Sequence, residues 1–595
     1  MCRISGIIDK ASDSINKDIL IMRDAMKHGG PDSAGVYCDD TVNLALGHRR
    51  LSLLDLTSAG NQPMMDNAGN VIIVFNGEIY NFIELKAELS AVGCQFHTHC
   101  DTEVIIQAYL QWGNECYARF KGMFAIALYD KRNGELTLAR DHAGIKPLYY
   151  YADADKLYFA SEIRAFTAIK NKWEENSKWK TYLLTFGYLP EPVTTLKNVY
   201  SLEKGSYKVF NVKKLQSRHH FFYKEDFNET ITDIDEAKKV IRNTLEKAVQ
   251  NHLVSDAPIG LFLSGGIDSS ILTLLAKKYK QEDLHTLSID FKDKNFSENH
   301  YQKLIVDQCH PIHSSFVLDE QSFANDFSDI LLAMDQPSSD GINSYFICKY
   351  ARQYGLKAVL SGIGADELLG GYSSFKLANK VAKLRSIPGF VFNLANYAHT
   401  DKYRKISFLS KKGLVNEYLF YRGYFNMQET AKLLDIDRRE VYETLSTVTV
   451  PDFVSNLSNE NQVSYMECNL YMLGQLLKDT DIMSMWHSLE VRVPFLDYDF
   501  MRAVQSISSS LKYGHAQSKY LLIESFKDIL PRDIWDRKKQ GFTLPFKNWM
   551  KDDKIQHMLN QPDMKMRDRF LDGDLAWSRY WTYSIANEFN ALKQF

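Results

Sequence analysis

Short apolar runs separated by Gly, Asp and Asn turns fill the chain up to about residue 170. Residues 71–75, 124–129 and 157–160 are three such runs, and each has the length and composition of a β-strand. We expect these strands to form stacked antiparallel sheets within an α+β domain. A different pattern begins near residue 258, where apolar strands alternate with helical periodicity.

The second pattern places strands at residues 258–263, 286–291 and 357–360, and a helix at residues 269–279. Such alternation is typical of a parallel doubly wound sheet in an α/β domain. From about Asp401 the chain is mostly helical, with amphipathic stretches such as residues 467–477. We therefore predict a first domain at residues 2–185, a connecting segment at 186–232 and a second domain at 233–595.

Composition supports a large enzyme of the cytoplasm. A chain of 595 residues with 45% apolar content builds two or three cores. The net charge of −3 argues against a nucleic-acid partner. The sequence contains no run of 18 apolar residues and no basic-then-apolar start, which argues against membrane insertion and export. The eight cysteines form no CxxC pair, so we expect reduced thiols in a cytoplasmic protein.

Cys2 follows the initiator methionine directly. Its side chain is small enough that the methionine is normally removed, which leaves a free α-amino group beside the thiol. A terminal amine titrates near roughly 7.7–8.0 and serves as a general base at neutral pH. On position alone, an accidental cysteine is an equal alternative.

Polar clusters at residues 50–52, 76–78 and 101–103 favour a catalytic Cys2. They offer an arginine for the α-carboxylate of an amino acid, carboxylates for its ammonium group and amide donors for a tetrahedral oxyanion. Together these groups are what binding a free amino acid requires.

A glycine-rich turn at residues 264–270, Ser-Gly-Gly-Ile-Asp-Ser-Ser, follows a predicted buried strand and opens a helix. In that context the backbone N–H groups of Gly265 and Gly266 face a pyrophosphate, although an isolated turn of this kind is often only a tight connection. The GxxxxGK[ST] pattern is absent, which disfavours a kinase or GTPase. A second strand end carries Asp366, and we predict that Asp268 and Asp366 share a magnesium ion.

These motifs together resemble one known family, over nearly the whole chain. Cys2, residues 28–32 (His-Gly-Gly-Pro-Asp), residues 50–52, residues 76–78 and Asp101 are similar to the glutaminase half of the class II glutamine amidotransferases, in particular the asparagine synthetase B family. Residues 264–270, 361–367, 479–485, 488–497 and 537–542 resemble its ATP-dependent synthetase half. The resemblance implies an Ntn-hydrolase-like first domain.

The resemblance also implies roles for individual residues. Cys2 is the nucleophile, and Asn76 with Gly77 forms the oxyanion hole. Lys539 contacts the α-phosphate of ATP. Glutamine is bound by Arg50, Leu51, Ser52, Asn76, Gly77, Glu78 and Asp101. ATP is bound by Phe262, Leu263, Ser264, Gly265, Gly266, Asp268, Ser269, Ser270, Ile289, Ser361 and Gly362. Asp268 and Asp366 hold Mg²⁺, and Glu490 with Arg492 is an ion pair of mainly structural value.

The implied chemistry is a two-site amidation. Cys2 releases ammonia from glutamine, ammonia travels through the protein, and an acceptor carboxylate activated by ATP as an acyl-adenylate is amidated with release of AMP and pyrophosphate. The expected partners are glutamine, ATP and the acceptor. A homodimer is left open as the assembly.

Three positions depart from the family pattern. Gly29 stands where the family usually has arginine, Ile363 where it usually has a glutamate thought to assist attack at the adenylate, and Gln336 where it usually has glutamate.

The acceptor is therefore either aspartate or another carboxylate, such as a hexuronic acid of a polysaccharide precursor. More distant alternatives are a β-lactam-synthetase-like cyclase, which the glutaminase residues oppose, and an inactive nucleotide-binding regulator, which Asp268, Asp366 and Lys539 oppose.

Overall fold

The computed structural model describes residues 2–170, 172–293, 296–398, 400–537, 545–559 and 564–592. The first part of the chain supplies twelve of the described strands. They are β1 (Arg3–Asp9), β2 (Ser33–Asp39), β3 (Leu44–Arg50), β4 (Met64–Met65), β5 (Val71–Ile79), β6 (Gly122–Asp130), β7 (Glu135–Arg140), β8 (Tyr149–Ala152), β9 (Lys156–Ala160), β10 (Tyr200–Ser201), β11 (Ser206–Asn211) and β12 (Ser217–Phe221). Its helices are α1 (Ile15–Ala25), α2 (Phe82–Ala91), α3 (Asp101–Trp112), α4 (Ile163–Thr167) and α5 (Trp179–Phe186).

These strands form two antiparallel sheets of six strands each, in the orders β10-β8-β9-β1-β3-β2 and β12-β11-β7-β6-β5-β4. Alternate side chains of the two sheets meet in one core, to which Ile4 and Phe159 come from the first sheet and Val74 and Leu138 from the second. The outer faces are covered by α1 and α4 on one side and by α2 and α3 on the other. The predicted stacked antiparallel sheets are confirmed.

The segment of residues 186–232, predicted to connect the two domains, contains three strands. Strands β10, β11 and β12 lie within it and complete the two sheets of the first domain. The strand β12 is exposed along its whole length and carries Arg218, His219 and His220. An edge strand of this kind has no buried face, so the sequence shows no apolar alternation there.

The second domain is built on a parallel sheet of five strands in the order β15-β14-β13-β16-β17, as predicted. Its strands are β13 (Ile259–Phe262), β14 (His285–Phe291), β15 (Ile312–Leu318), β16 (Ala358–Leu360) and β17 (Glu490–Arg492). The strand order reverses between β13 and β16. Ligands of open parallel sheets bind at such a reversal, beyond the carboxyl ends of the strands.

Helices make up most of the remaining chain, which confirms the predicted helical C-terminal part. Those around the sheet and up to β17 are α6 (Ile234–His252), α7 (Ile267–Lys280), α8 (Asn299–Cys309), α9 (Glu320–Ala333), α10 (Ile342–Gln353), α11 (Ala365–Leu369), α12 (Ser373–Leu384), α13 (Gly389–Asn393), α14 (Asp401–Arg404), α15 (Leu414–Arg422), α16 (Met427–Leu434), α17 (Arg438–Leu445), α18 (Asn459–Met466) and α19 (Leu477–Trp486). Those after β17 are α20 (Tyr498–Ser506), α21 (Ser509–Tyr513), α22 (Tyr520–Phe526), α23 (Arg532–Trp535), α24 (Phe546–Trp549), α25 (Asp553–Met558), α26 (Met564–Leu571) and α27 (Trp577–Glu588). The stretch predicted as an amphipathic helix at residues 467–477 is a π-helix, Glu467–Leu476.

The wall between the two domains is apolar. One buried cluster contains Leu51, Leu53 and Met123 of the first domain together with Leu360 and Val493 of the second. Burial of this kind holds the two domains together through the hydrophobic effect. Among the described helices, none has the length and apolar character needed to cross a bilayer.

Candidate functional site

Cys2 lies just before β1 and is buried, with 8% of its surface exposed. Its backbone nitrogen donates to Asn76 Oδ1 at 3.3 Å. Burial raises the pKa of the Cys2 thiol to about 11, against the lowering effects of the N-terminal charge and of a hydrogen bond from the Leu51 backbone. At neutral pH the thiol is therefore protonated, and its reaction as a nucleophile requires a base beside it.

Asn76 and Gly77 lie on β5 beside Cys2. Asn76 is fully buried, and within the described residues its Nδ2 has no hydrogen-bond acceptor. A buried amide donor of this kind is costly unless a ligand accepts from it. A Cβ on Gly77 would lie 2.0 Å from the Met123 carbonyl oxygen, so only glycine fits there. Both groups suit the predicted oxyanion hole.

Arg50 ends β3, and the loop that follows it binds its guanidinium. Its Nη1 and Nη2 atoms donate to Thr57 O at 2.6 Å, Asn61 Oδ1 at 2.9 Å, Leu54 O at 3.2 Å and Asp55 O at 2.5 Å. Within the described part of the chain, these bonds leave the Nε–H and the net positive charge for a carboxylate ligand. Leu51 is buried, and the Ser52 nitrogen donates to Asp32 Oδ2 at 2.8 Å.

Glu78 and Asp101 form a buried acidic pair close to Cys2. Burial, Glu490 and Asp101 raise the pKa of Glu78 well above its usual value, while Arg492 lowers it. Burial, together with Glu490, raises the pKa of Asp101 to about 7, although the Ile79 nitrogen donates to its Oδ2 at 3.0 Å and lowers it. Two buried carboxylates in close proximity favour binding a cation such as an ammonium group.

The predicted ion pair of Glu490 and Arg492 is present, with Arg492 Nε 2.5 Å from Glu490 Oε1. Its contact with the other domain was not predicted: Arg492 Nη2 also lies 3.5 Å from Glu78 Oε1. The pair is thus part of the acidic cluster at the candidate glutamine site.

Gly29 has a steric role. A Cβ at this position would lie 2.8 Å from Cγ of Arg3, and Arg3 has no freedom to move away. The Arg3 guanidinium is fully buried, with Nε 2.5 Å from Glu162 Oε1 and Nη1 2.8 Å from Asp481 Oδ2 of the second domain. Arg3 therefore occupies space that a side chain at position 29 needs.

The glycine-rich turn connects β13 to the N-terminus of α7, as predicted. Ser264 Oγ and Ser269 Oγ lie 3.0 Å apart, and the Gly266 nitrogen donates to Ser264 Oγ at 3.3 Å. Gly265 has a φ of +78°, which favours glycine. Ser270 Oγ is buried and has no hydrogen-bond partner in the described chain. The turn presents N–H and hydroxyl donors at the positive end of a helix dipole, which is a site for phosphate.

Asp268 and Asp366 come together at this turn, as predicted. Lys519 Nζ, at the start of α22, lies 2.5 Å from Asp268 Oδ2 and 2.5 Å from Asp366 Oδ1. The lysine is buried, whereas the two carboxylates are 20% and 22% exposed. No third His, Cys, Asp or Glu joins them within the described residues. Magnesium is commonly bound by one or two carboxylates plus substrate phosphates, so this pair fits such an ion.

The other predicted nucleotide residues lie around the same strand ends. Phe262 is half-buried at the end of β13, Leu263 is buried next to it, and Ile289 is buried on β14. The Ser361 nitrogen donates to the Arg492 carbonyl at 2.8 Å, and a Cβ on Gly362 would lie 2.9 Å from Asp268 Cβ. The structure therefore brings these positions to one edge of the sheet.

Lys539 lies outside the described residues. Arg537, two residues before it, is described, and its Nη2 donates to Gly265 O at 3.0 Å and to Glu298 Oε1 at 2.9 Å. The guanidinium also stacks on Tyr301, 3.6 Å from the ring centroid. Arg537 thus contacts the glycine-rich turn two residues before Lys539 in the sequence.

Comparison with known proteins identifies both halves. The asparagine synthase family model matches residues 240–576, and the glutamine amidotransferase domain model matches residues 1–223. This chain belongs to the asparagine synthase family. The matches confirm the predicted family and its enzyme class, a glutamine-dependent carbon–nitrogen ligase.

Similar proteins include several asparagine synthetases. The glutamine-hydrolysing asparagine synthetase 1 of Bacillus subtilis (strain 168) is 31% identical, over 96% of this chain and 92% of the relative. A putative glutamine-hydrolysing asparagine synthetase 2 of Methanocaldococcus jannaschii is 34% identical, over 66% of this chain and 79% of the relative. The glutamine-hydrolysing asparagine synthetase B of Escherichia coli (strain K12) is 32% identical, over 64% of this chain and 67% of the relative.

Lys519 was not predicted from the sequence as a residue of the nucleotide site. It follows no motif and lies 251 positions from Asp268 along the chain. Its backbone has a φ of +58°, which is uncommon for a residue with a side chain. The sequence shows neither this conformation nor the contact, so only the fold places its ammonium group beside the two carboxylates.

Proposed function

We propose that this enzyme transfers ammonia from glutamine, released at Cys2, to a carboxylate that ATP activates as an acyl-adenylate at the turn of residues 264–270. The observation that carries the proposal is that both sites lie in one chain on either side of a shared apolar core. The free-thiol cysteines, which include Cys2, suit the cytoplasm as its location. A homodimer stays a prediction.

The glutaminase half begins with proton transfer. After removal of Met1, the α-amino group of Cys2 takes the proton of its own thiol, and the thiolate attacks the side-chain amide carbon of glutamine. The buried Nδ2 of Asn76 and the N–H of Gly77 stabilise the oxyanion. Ammonia leaves with the proton that the amine carried, and water then hydrolyses the thioester to glutamate.

Glutamine is held in this site by charge. Arg50 binds its α-carboxylate, and Glu78 with Asp101 binds its ammonium group. Leu51 and Ser52 place the loop against the substrate. These assignments rest on the family resemblance and on the burial of the three charged groups.

Ammonia passes between the sites through the apolar wall. Leu51, whose backbone donates to the Cys2 thiol, belongs to the same buried cluster as Leu360, and Ile363 packs against that cluster. Free ammonia in neutral water is mostly protonated and no longer nucleophilic. An apolar passage excludes water and keeps ammonia in its reactive form.

The synthetase half binds ATP at the glycine-rich turn. Ser264, Ser269 and Ser270 and the backbone of Gly265 and Gly266 face the phosphates. Lys519, Arg537 and Lys539 supply positive charge around them. Asp268 and Asp366 would hold magnesium, which would supply positive charge that shields the triphosphate.

Two acceptors remain open. Aspartate is the acceptor that the names of the relatives suggest. A specific observation favours a different carboxylate: Ile363 is an apolar residue packed on the core, and Gln336 uses its Nε2 to donate to Tyr149 Oη at 3.0 Å. Neither residue moves a proton, so a non-aspartate acceptor such as a hexuronic acid is the second candidate.

The test is pyrophosphate release with ATP and magnesium, with ammonium chloride as the nitrogen source so that the result is independent of Cys2. Aspartate is compared with free uronic acids and nucleotide-linked uronates. Release with aspartate together with asparagine formation supports the first candidate. Release only with a sugar acid supports the second, and no release with any carboxylate contradicts the proposed reaction.

A further inference from the structure

Arg492 is a single residue that contacts both sites. It ends β17, the edge strand of the parallel sheet, which pairs with β16 in the register Leu360 to Arg492. Its backbone carbonyl accepts from the nitrogen of Ser361, the first residue of the nucleotide-site motif after β16. Any movement of that motif therefore acts directly on the backbone of Arg492.

The side chain of Arg492 points the other way, into the glutaminase domain. Its guanidinium is fully buried and lies 3.5 Å from Glu78 Oε1. Two backbone carbonyls, His252 O at 2.7 Å and Val254 O at 2.6 Å, accept from its Nη1 and fix its direction. Among the residues the structure describes, Arg492 is the cation paired with Glu78.

Glu78 needs a cation because two of its neighbours are acidic. Burial, Glu490 and Asp101 all raise the pKa of Glu78, and Arg492 and the N-terminal charge oppose them. An ammonium ligand is bound well only by an ionised carboxylate. The affinity of Glu78 for the ammonium group of glutamine therefore depends on a residue of the other domain.

We propose that Arg492 is a positioning residue of the glutaminase site, supplied by the synthetase domain, which orients Glu78 for glutamine and couples that site to the nucleotide motif at Ser361. The inference rests on the proposed function, since it takes Glu78 as a glutamine ligand. It gives Arg492 a role in binding in addition to its ion pair with Glu490.

The first experiment compares Arg492→Gln with a matched control at another inter-domain ion pair. Lys121 Nζ of the first domain lies 2.7 Å from Asp499 Oδ2 of the second, and the two side chains are 40% and 48% exposed. We expect Arg492→Gln to raise the KM for glutamine in the glutaminase assay about tenfold or more, with a smaller change in kcat, since loss of a charge-assisted contact costs at least about this factor. Asp499→Asn leaves the glutamine KM within about twofold, because exposed pairs contribute little.

Ammonia-dependent pyrophosphate release is measured on the same preparations. We expect Arg492→Gln to keep it within about threefold of the parent enzyme, which shows that the fold and the nucleotide site are intact. An unchanged glutamine KM overturns the proposal. An equal loss of both activities also overturns it, because that result indicates a purely structural role.

A second variant gives an effect of opposite sign. Glu490→Gln removes a negative neighbour of Glu78 and Asp101, so we expect the glutamine KM to fall, whereas damage to packing raises it. Arg492→Lys, which keeps the charge, lies between the parent and Arg492→Gln. A raised KM in Glu490→Gln contradicts the electrostatic argument.

The coupling is tested by adding ATP and magnesium to the glutaminase assay. We expect them to change the glutamine KM of the parent enzyme by at least about twofold and to leave that of Arg492→Gln unchanged. An identical response of the two proteins refutes the coupling. Glutamine hydrolysis needs neither ATP nor an acceptor, so these results stand even if the pyrophosphate assay contradicts the proposed reaction.

Discussion

Replacing Lys519 by methionine tests the charge arrangement at the nucleotide site most directly. The substitution keeps an unbranched side chain but removes the ammonium group that lies 2.5 Å from Asp268 and from Asp366. Asp268 and Asp366 then keep their negative charge without this cation. The loss of the ammonium group and the uncompensated carboxylate charges both act where the triphosphate of ATP is expected to bind.

The magnitude follows from the two ion pairs. Hydrogen bonds to charged partners contribute about 1.5–3 kcal/mol each, and loss of one partner of a buried pair costs about 3–5 kcal/mol. The carboxylates are about one-fifth exposed, so solvent screening reduces this value. We expect the free energy of unfolding of the second domain to fall by about 3 kcal/mol, and pyrophosphate release to fall at least about tenfold.

The assays are urea unfolding followed by tryptophan fluorescence, pyrophosphate release with ammonia, and glutamine hydrolysis. Glutamine hydrolysis is expected to stay within about twofold, because Cys2 lies in the other domain. Lys512→Met is the matched control. Lys512 is an equally buried lysine that donates to Asn461 Oδ1 and Val504 O, both at 3.1 Å, and contacts neither Asp268 nor Asp366.

Two results would refute the reasoning. One is a Lys519→Met enzyme with the stability and pyrophosphate rate of the parent. The other is a triple variant, with Asp268→Asn and Asp366→Asn added, that is no more stable than Lys519→Met alone. We expect the triple variant to recover about half of the lost stability, because it removes the carboxylate charges that Lys519 compensates.

Two further predictions concern the glutaminase site. Cys2→Ala abolishes glutamine-dependent amidation while ammonia-dependent amidation persists, as measured by pyrophosphate release with each nitrogen source; loss of both contradicts two separate sites. The KM for glutamine rises as the pH falls below about 7, by up to about tenfold per unit, because protonated Asp101, whose pKa burial raises to about 7, no longer binds an ammonium group. The groups that surround Asp101 include Glu78, Glu490 and Arg492. Asp101→Asn, which removes the titration of Asp101, is the control, and a pH-independent KM in the parent enzyme argues against the role of Asp101.

The nucleotide-site residues that the sequence singled out lie at strand ends, so the sheet topology explains why they lie close together. The strand before the glycine-rich turn and the strand before Ser361 lie side by side in the sheet, so Asp268 and Asp366 converge as the topology requires. Lys519 escaped prediction because it reaches the site from a helix far along the chain. The strand β12 escaped it because an exposed edge strand carries no apolar alternation.

Arg492 shows a different limit of prediction from sequence. Its pairing with Glu490 is local and was predicted from the motif at residues 488–497. Its contact with Glu78 depends on how two domains dock, which no local pattern encodes. The residues that join the two sites are therefore the ones for which the structure adds most.

The docking surface has two different kinds of contact, and their chemistry separates their roles. Apolar residues such as Leu51 and Val493 form a continuous core that excludes water and favours the transfer of neutral ammonia. Buried ion pairs, Arg3 with Asp481 and Arg492 with Glu78, lie in the same interface and connect each domain to the neighbourhood of Cys2. Breaking a buried ion pair leaves an uncompensated buried charge, so each of these pairs disfavours other ways of docking the two domains. Their place beside Cys2 and Glu78 therefore indicates that docking of the domains, and not the first domain alone, sets the geometry of the candidate glutaminase site.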